Sequence, residues 1–210
     1  MKKTQPKKTR LFCPSDSLGF QNAADTLTST GIKDNTVTRN ASATWAVASE
    51  DEWYKAAYYK GGSTTAGYWT YPTKSDTAPT VATANESGTI SNPGANVANH
   101  SYGADWNGLD GNVTTVGSAG AASYYGTFDQ GGNLWEWNDA VLYGSYRGLR
   151  GGSFSYGDDF LRAALRGDFN PTFEDIAVGF RVSQIPEPAS MTLLALGGIG
   201  MMFRRRGLRG

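Results

Sequence analysis

The sequence has one cysteine, Cys13, and one histidine, His100, in 210 residues. A single thiol excludes an internal disulfide, a zinc knuckle and an iron–sulfur cluster. A single imidazole means that any histidine-based triad or paired metal site must rest on His100 alone. An apolar run of the roughly 20 residues that a full membrane span prefers is also missing. The most apolar stretch, Ala189–Phe203, has fifteen residues. Acidic residues are absent from the first ten and last seven positions, which carry five and four basic residues. The formal net charge of zero therefore hides an acidic body: residues 11–203 hold ten basic against nineteen acidic groups. Such a body repels phosphate backbones and attracts divalent cations, so it argues against nucleic-acid binding. The basic start Met1–Arg10 is followed by Leu11-Phe12-Cys13-Pro14-Ser15-Asp16. No apolar stretch of a signal peptide is visible there.

What remains is enough apolar material for one globular domain with tails. The clearest helix is Ser49–Tyr59. Ser49 and Glu52 form an S-x-x-E capping box, Glu50, Asp51 and Glu52 favour the positive helix end, and Trp53, Ala56 and Ala57 share a face. Lys60-Gly61-Gly62 is expected to stop it. Residues 61–127 read as loop, punctuated by Gly, Ser, Thr, Asn and Pro. Their aromatic residues, Tyr68, Trp69, Tyr71, Tyr102, Trp106, Tyr124 and Tyr125, predict ordered loops pinned by anchors. Short strands are expected at Leu134–Trp137, Gly152–Phe154 and Gly179–Val182. One of Trp135 and Trp137 is expected in the core and the other at a cleft. Asp158 and Asp159 read as a solvated turn, and His100 as a surface-loop residue. Arg162, Arg166 and Arg181 are expected to buttress buried carboxylates.

Ile185-Pro186-Glu187-Pro188 precedes the apolar stretch, and Arg204-Arg205-Arg206 follows it. Arginines can snorkel and extend a short span, which predicts a hydrophobic membrane helix with the acidic body outside. Pro186, Glu187 and Pro188, the apolar stretch and the arginine cluster together resemble the PEP-CTERM sorting signal. That resemblance implies an exported protein, recognised by an exosortase-type processing enzyme and held at the cell surface or membrane.

Three blocks in the body carry a second resemblance. Ser49-Glu50-Asp51-Glu52-Trp53-Tyr54-Lys55-Ala56-Ala57-Tyr58 is similar to the L-P-S/T-E-x-E-W-E-x-A-A helix of the formylglycine-generating, sulfatase-modifying factor superfamily. Gly132-Asn133-Leu134-Trp135-Glu136-Trp137 matches its G-N-x-W-E-W block. Arg150-Gly151-Gly152-Ser153-Phe154, Arg162-Ala163-Ala164-Leu165-Arg166 and Gly179-Phe180-Arg181 match its closing block. The implied fold is α+β, an irregular relative of C-type lectins low in regular secondary structure. The expected division is a divergent segment 1–19, a sulfatase-modifying-factor-like domain 20–184 and a sorting and membrane segment 185–210. Because the match starts in mid-domain, the chain reads as a truncated or frame-shifted version of a longer exported protein. Sequencing upstream of Met1 tests that expectation.

Formylglycine generation, as the resemblance describes it, needs two copper-binding cysteines just after the G-G-S turn. Here Tyr156 stands at the first of those positions, and no cysteine follows Cys13. Soft thiolates hold Cu(I), and hydroxyls or carboxylates do not replace them. No copper and no catalytic residue is therefore assigned, and Ser153, the one tempting nucleophile, has no base in a recognisable motif. The resemblance also implies two structural calcium sites. One carries over to Asn96, Val97, Asp110 and Asn112, the other to Asp129, Glu136 and the carbonyls of Gly132 and Leu134. Calcium takes six to eight hard oxygens, many from carbonyls, which suits structured loops of this composition. The reading of the whole is a non-catalytic surface module, calcium-stabilised, that binds a glycan or surface protein through loops 61–125. The alternatives are a thiol-independent enzyme of the same superfamily and a non-functional fragment.

Overall fold

A computed structural model describes residues 28–40, 43–63 and 66–184. Within them the chain runs α1 (Ser29–Lys33), β1 (Trp45–Val47), α2 (Glu50–Tyr58), β2 (Thr80–Val81), β3 (Val97–Ala98), β4 (Trp135–Leu142) and β5 (Tyr146–Arg150). A short 3-10 helix (Asp158–Leu161), β6 (Gly167–Phe169), β7 (Val178–Phe180) and β8 (Val182–Gln184) follow.

Helix α2 starts as its sequence dictates. Ser49 Oγ accepts the Glu52 N–H at 3.2 Å, and the Glu52 carboxylate accepts the Ser49 N–H at 2.8 Å. Its buried face, Trp53, Ala57 and Tyr58, packs with Ala48. Each large side chain so buried contributes roughly 1.5–3 kcal/mol. The helix ends where the sequence places it, with Tyr59 as its C-cap. Tyr59 is already extended and bridges to Tyr68, while Gly61 and Gly62, both at positive φ, form the return that follows.

The main sheet has the order β6-β5-β4-β7, antiparallel except for the parallel β4–β7 pair. Its ladder shifts register between Trp137 and Val141. There Asn138 Oδ1 accepts the Ala140 N–H at 3.1 Å, so a side chain competes with the strand pairing. The strand expected over Leu134–Trp137 is thus longer than predicted. The strand expected at Gly152–Phe154 is absent and lies upstream as β5. Gly151 and Gly152 have φ of +97° and +69°, and left-handed backbone cannot extend a ladder. The expected single strand 179–182 divides at Arg181: β7 joins β4, and β8 joins β1.

Among the described residues between α2 and β4, the only strands are the two-residue β2 and β3, as a loop-rich reading requires. The described residues bury small apolar clusters, the largest of four residues. A polar network spans the gap between them. Asn133 Oδ1 accepts the Thr114 N–H at 2.8 Å and Asn99 Nδ2 at 3.1 Å, and Asn99 Nδ2 also reaches the Asn112 carbonyl at 2.8 Å. No helix of the described residues is long and apolar enough to cross a membrane. The expected C-terminal helix, the sorting residues Pro186, Glu187 and Pro188, and Cys13 lie outside the described residues.

Candidate functional site

Helix α2 and strand β4 meet at a buried carboxylate. The capping box fixes the start of α2, which turns Trp53 onto β4. Trp53 Nε1 donates to Glu136 Oε2 at 2.6 Å, and Arg181 Nε donates to the same oxygen at 2.6 Å. Burial pushes the Glu136 carboxyl above the ordinary range; Arg181 and Trp53 oppose that shift, and the nearby charge of Asp129 adds to it. Asp129 sits at a left-handed φ of +54° with Oδ2 accepting the Gly117 N–H at 2.7 Å. Burial raises its carboxyl as well. Gly132 donates its N–H to Gly151 and approaches so closely that a Cβ there would lie 2.2 Å from the Asn99 carbonyl oxygen. Leu134 packs beside Gly179. The Arg181 guanidinium pairs with Glu136 and also reaches the carbonyl of Phe128, the residue before Asp129. Among the described residues Glu136 Oε1 and Asp129 Oδ1 accept no hydrogen bond, so both remain available to a cation. These donors fit the hard-oxygen chemistry of calcium.

The other four residues are placed differently. Asn96 Oδ1 accepts the Thr73 hydroxyl at 2.6 Å, and its Nδ2 donates to the carbonyls of Thr77 and Ala78. Val97 is buried in β3, paired with Thr80. The Asn112 carbonyl takes Asn99 Nδ2, and its side chain takes the next N–H, that of Val113. Asp110 is exposed. The side-chain oxygens of Asn96 and Asn112 are thus engaged in holding loops together.

Around the G-G-S turn, exposed aromatic rings pack onto the buried Trp135. Tyr156 packs on Trp135 (centroids 5.5 Å apart) and Phe160 (4.7 Å). Of the two tryptophans, Trp135 is buried, and Trp137 lines a cavity on the sheet. Ser153 is fully buried and shares a hydrogen bond with the Ser155 hydroxyl at 3.1 Å, so it meets a second hydroxyl and no base. Asp158 corrects the expectation of a solvated turn: it opens the 3-10 helix and accepts the Tyr71 hydroxyl at 3.0 Å. Asp159 pairs with Arg162 at 2.9 Å, whose Nε also donates to the Tyr71 hydroxyl. Of the three arginines only Arg181 serves a buried carboxylate on the sheet; Arg166 pairs with Glu50 beside Arg150.

His100 is 3% exposed, which overturns the surface-loop expectation. Its Nε2 lies 3.2 Å from the Pro79 carbonyl and its Nδ1 2.9 Å from Ser101 Oγ. A carbonyl only accepts, so Nε2 carries the hydrogen and Nδ1 accepts the serine hydroxyl. Burial lowers the imidazole pKa. Ser101 is exposed, at a φ of +54°, and its N–H donates to the Tyr156 carbonyl, which sets the pair beside the G-G-S turn.

A surface that only folding assembles lies at the end of α2. Tyr54, Tyr59, Tyr68, Tyr124 and Tyr125 form one chain of ring contacts with centroids 4.9–6.2 Å apart. Tyr68, Tyr124 and Tyr125 are about half exposed. The aromatic count of the loops hinted at anchors, but nothing in residue spacing joins 54–68 to 124–125.

No curated protein sequence matches the chain. Solved structures do resemble it: Treponema denticola variable protein 1 is 22% identical, with a TM-score of 0.46 over 71% of this chain and 51% of its own. A protein named CarF is 23% identical, with a TM-score of 0.40 over 73% and 52%. PvdO from Pseudomonas aeruginosa is 20% identical, with a TM-score of 0.44 over 68% and 53%. The chain spans about half the length of these proteins. A protein-sorting motif of the PEP-CTERM type matches residues 184–206. Residues 20–184 match the sulfatase-modifying factor enzyme 1-like domain, and the chain belongs to that family.

Proposed function

We propose that this protein is a non-catalytic, exported surface module that binds a glycan through its tyrosine face and is stabilised by calcium. The tyrosine surface carries the reading. Three half-exposed rings, backed by Tyr54 and Tyr59, offer flat apolar faces with hydroxyls at the rim, which suits the C–H faces and hydroxyls of a sugar. The sorting motif supports export and processing by an exosortase-type enzyme, with the domain outside the membrane. Calcium at Asp129, Glu136 and the Gly132 and Leu134 carbonyls would neutralise the half-buried Asp129, which has no ion pair of its own among the described residues while Arg181 pairs with Glu136. A site at Asn96, Val97, Asp110 and Asn112 would have to share oxygens already holding the loops. The test is a glycan array probed with the full chain in calcium and in EDTA. Binding that Tyr124→Ala/Tyr125→Ala removes, and a melting temperature that EDTA lowers and calcium restores, are expected. A blank array under both conditions defeats the glycan reading, and an unmoved melting temperature defeats the calcium one.

A second reading, a thiol-independent enzyme, rests on the exposed Ser101 hydroxyl donating to the buried, carbonyl-oriented His100. Fluorophosphonate labelling that disappears in Ser101→Ala would favour it over the first. An unlabelled native chain sinks it.

A further inference from the structure

Strands β1 and β8 pair antiparallel, with Trp45 opposite Gln184 and Val47 opposite Val182. Opposed residues point to one side of a sheet, and neighbours along a strand alternate between sides. Ala46 and Ser183 therefore share the inner side: Ala46 is buried, and the Ser183 hydroxyl donates to Glu52 of α2 at 2.9 Å. Trp45, Val47 and Val182 share the outer one. Phe180 of β7 joins them. It stands opposite Trp137, on the side of the sheet away from Glu136 and α2. Val47, Trp137, Val141 and Phe180 wall one hollow, so the two outer sides are continuous. Phe180 is 65% exposed, Val182 55%, Trp45 53% and Val141 47%. Single exposed apolar residues are ordinary, whereas a continuous set marks an interaction surface.

Two observations say what covers it. Gln184, the last residue of β8, is also the first of the matched sorting motif. Residues 185–188 alone separate it from the apolar stretch that begins at Ala189. A chain reaches at most about 3.6 Å per residue, so Gln184 stays within roughly 18 Å of that stretch. With the stretch in a bilayer, the end of the domain that carries Trp45, the partner of Gln184, is held at the membrane surface. Tryptophan suits that level, since its ring favours the headgroup region. Charge is the second observation. Glu52 and Asp139 are both neutralised by Arg39. Arg147, at the edge of the hollow, donates only to Asn35 and to the carbonyls of Val37 and Asp139. Its charge is left to complement a lipid phosphate.

We propose that the outer face of β1, β7 and β8 rests on the phospholipid bilayer that holds the C-terminal segment, with Trp45, Phe180 and Val182 at the level of the headgroups. Helix α2, on the opposite side of β4, is then turned away from the lipid. The proposal rests on the anchoring reading of the sorting motif and uses no residue of the glycan or calcium readings. A second copy of the chain is the competing occupant.

The test places the full chain, carrying Cys13→Ser, in phosphatidylcholine vesicles with a fluorophore attached at Val182→Cys. The control label is attached at Lys55→Cys, on the exposed side of α2. The quencher is phosphatidylcholine with a nitroxide just below the headgroup, the depth that interfacial side chains reach. Quenching about three-fold stronger at position 182 than at position 55 is expected, and Trp45→Asp/Phe180→Asp should bring the two within about two-fold. These side chains are exposed, so the changes spare the interior. Should Val182→Cys not fold, Trp45→Cys takes the label and Phe180→Asp alone disrupts the face. A chain that does not float with the vesicles overturns the anchoring reading and this proposal together. A chain that floats but is quenched equally at both positions, or whose quenching survives the aspartates, overturns this proposal alone. Cross-linking from copy to copy at position 182 without quenching also overturns it, and gives the face to a second copy.

Discussion

Where α2 meets the four-stranded sheet, the interior is filled by large apolar rings and neutralised charge. Trp53 and Tyr58 are buried together, Glu136 is held by Arg181 and Trp53, and Arg150 joins β5 to Glu50 of α2 at 2.7 Å. In the loops of residues 72–133 the buried apolar side chains are smaller, and amide groups do the joining. Asn133, Asn99, Asn96 and Asn92 each bridge segments far apart in the chain, Asn92 through the Val81 carbonyl. The difference teaches that a chain with short strands can still be ordered if buried side-chain amides stand in for the missing ladders. Such a region depends on directional bonds, whereas the helix–sheet region depends on burial and charge balance.

Substitutions can break each side of that contrast. Glu136→Ala strips Arg181 Nε and Trp53 Nε1 of their shared acceptor, and losing one partner of a buried pair costs about 3–5 kcal/mol. Urea unfolding should show a loss of that size. A loss under about 1 kcal/mol would mean that the carboxylate does not anchor the α2–β4 contact. In the loops, Asn133→Ala leaves the Thr114 N–H and Asn99 Nδ2 without their acceptor and puts alanine at a φ of +61°. Roughly 2–4 kcal/mol should be lost, with faster hydrogen exchange at the Thr114 amide. If exchange there is unchanged, the amide network is not what orders the loops.

Acid sharpens the comparison with smaller effects. His100 sits neutral in the loop region, its pKa lowered by burial from 6.5, so its unfolded form takes up a proton first. Its stabilisation is present above pH 6.5 and is lost as pH falls below that value. A melting temperature that declines between pH 7 and 5, and declines less in His100→Gln, is expected from calorimetry. Glu52 on α2 behaves at lower pH. Its hydrogen bonds from Arg39 hold its carboxyl at about 2 against an ordinary 4.5. Its contribution is therefore complete above pH 4.5 and fades as pH approaches 2; with the side chain 39% exposed, solvent screening keeps it small. An Arg39→Gln chain should lose stability less steeply below pH 4.5 than the native one.

Helix α2 was legible because its capping box and first-turn acids are local, and the structure reproduces both bonds. The strand expected at Leu134–Trp137 marked β4, but the burial of Glu136 was not legible, since it depends on Trp53 and Arg181 from distant segments. The end of α2 was legible too, since Tyr59 is its C-cap; what the sequence did not show is that Tyr59 then pairs with Tyr68, a partner set by the return of the loop. Nor was β5 legible, because Gly152–Phe154 reads as a strand unless one knows that Gly151 and Gly152 take left-handed backbone, which ends the strand at Arg150. His100 was misplaced because burial of a polar ring depends on the carbonyl of Pro79, 21 residues away.

The order of the motifs alone determined the family and the sorting motif, and composition alone shows that no cysteine follows Cys13. Those follow from which atoms the chain owns and how closely they are spaced. Tertiary structure decided which arginine meets Glu136, which tyrosines share a face, and which apolar side chains of β1, β7 and β8 share an outer side. Each of those is a meeting of residues from separate segments, and the free energy of such a meeting belongs to the assembled packing and to no local stretch of chain.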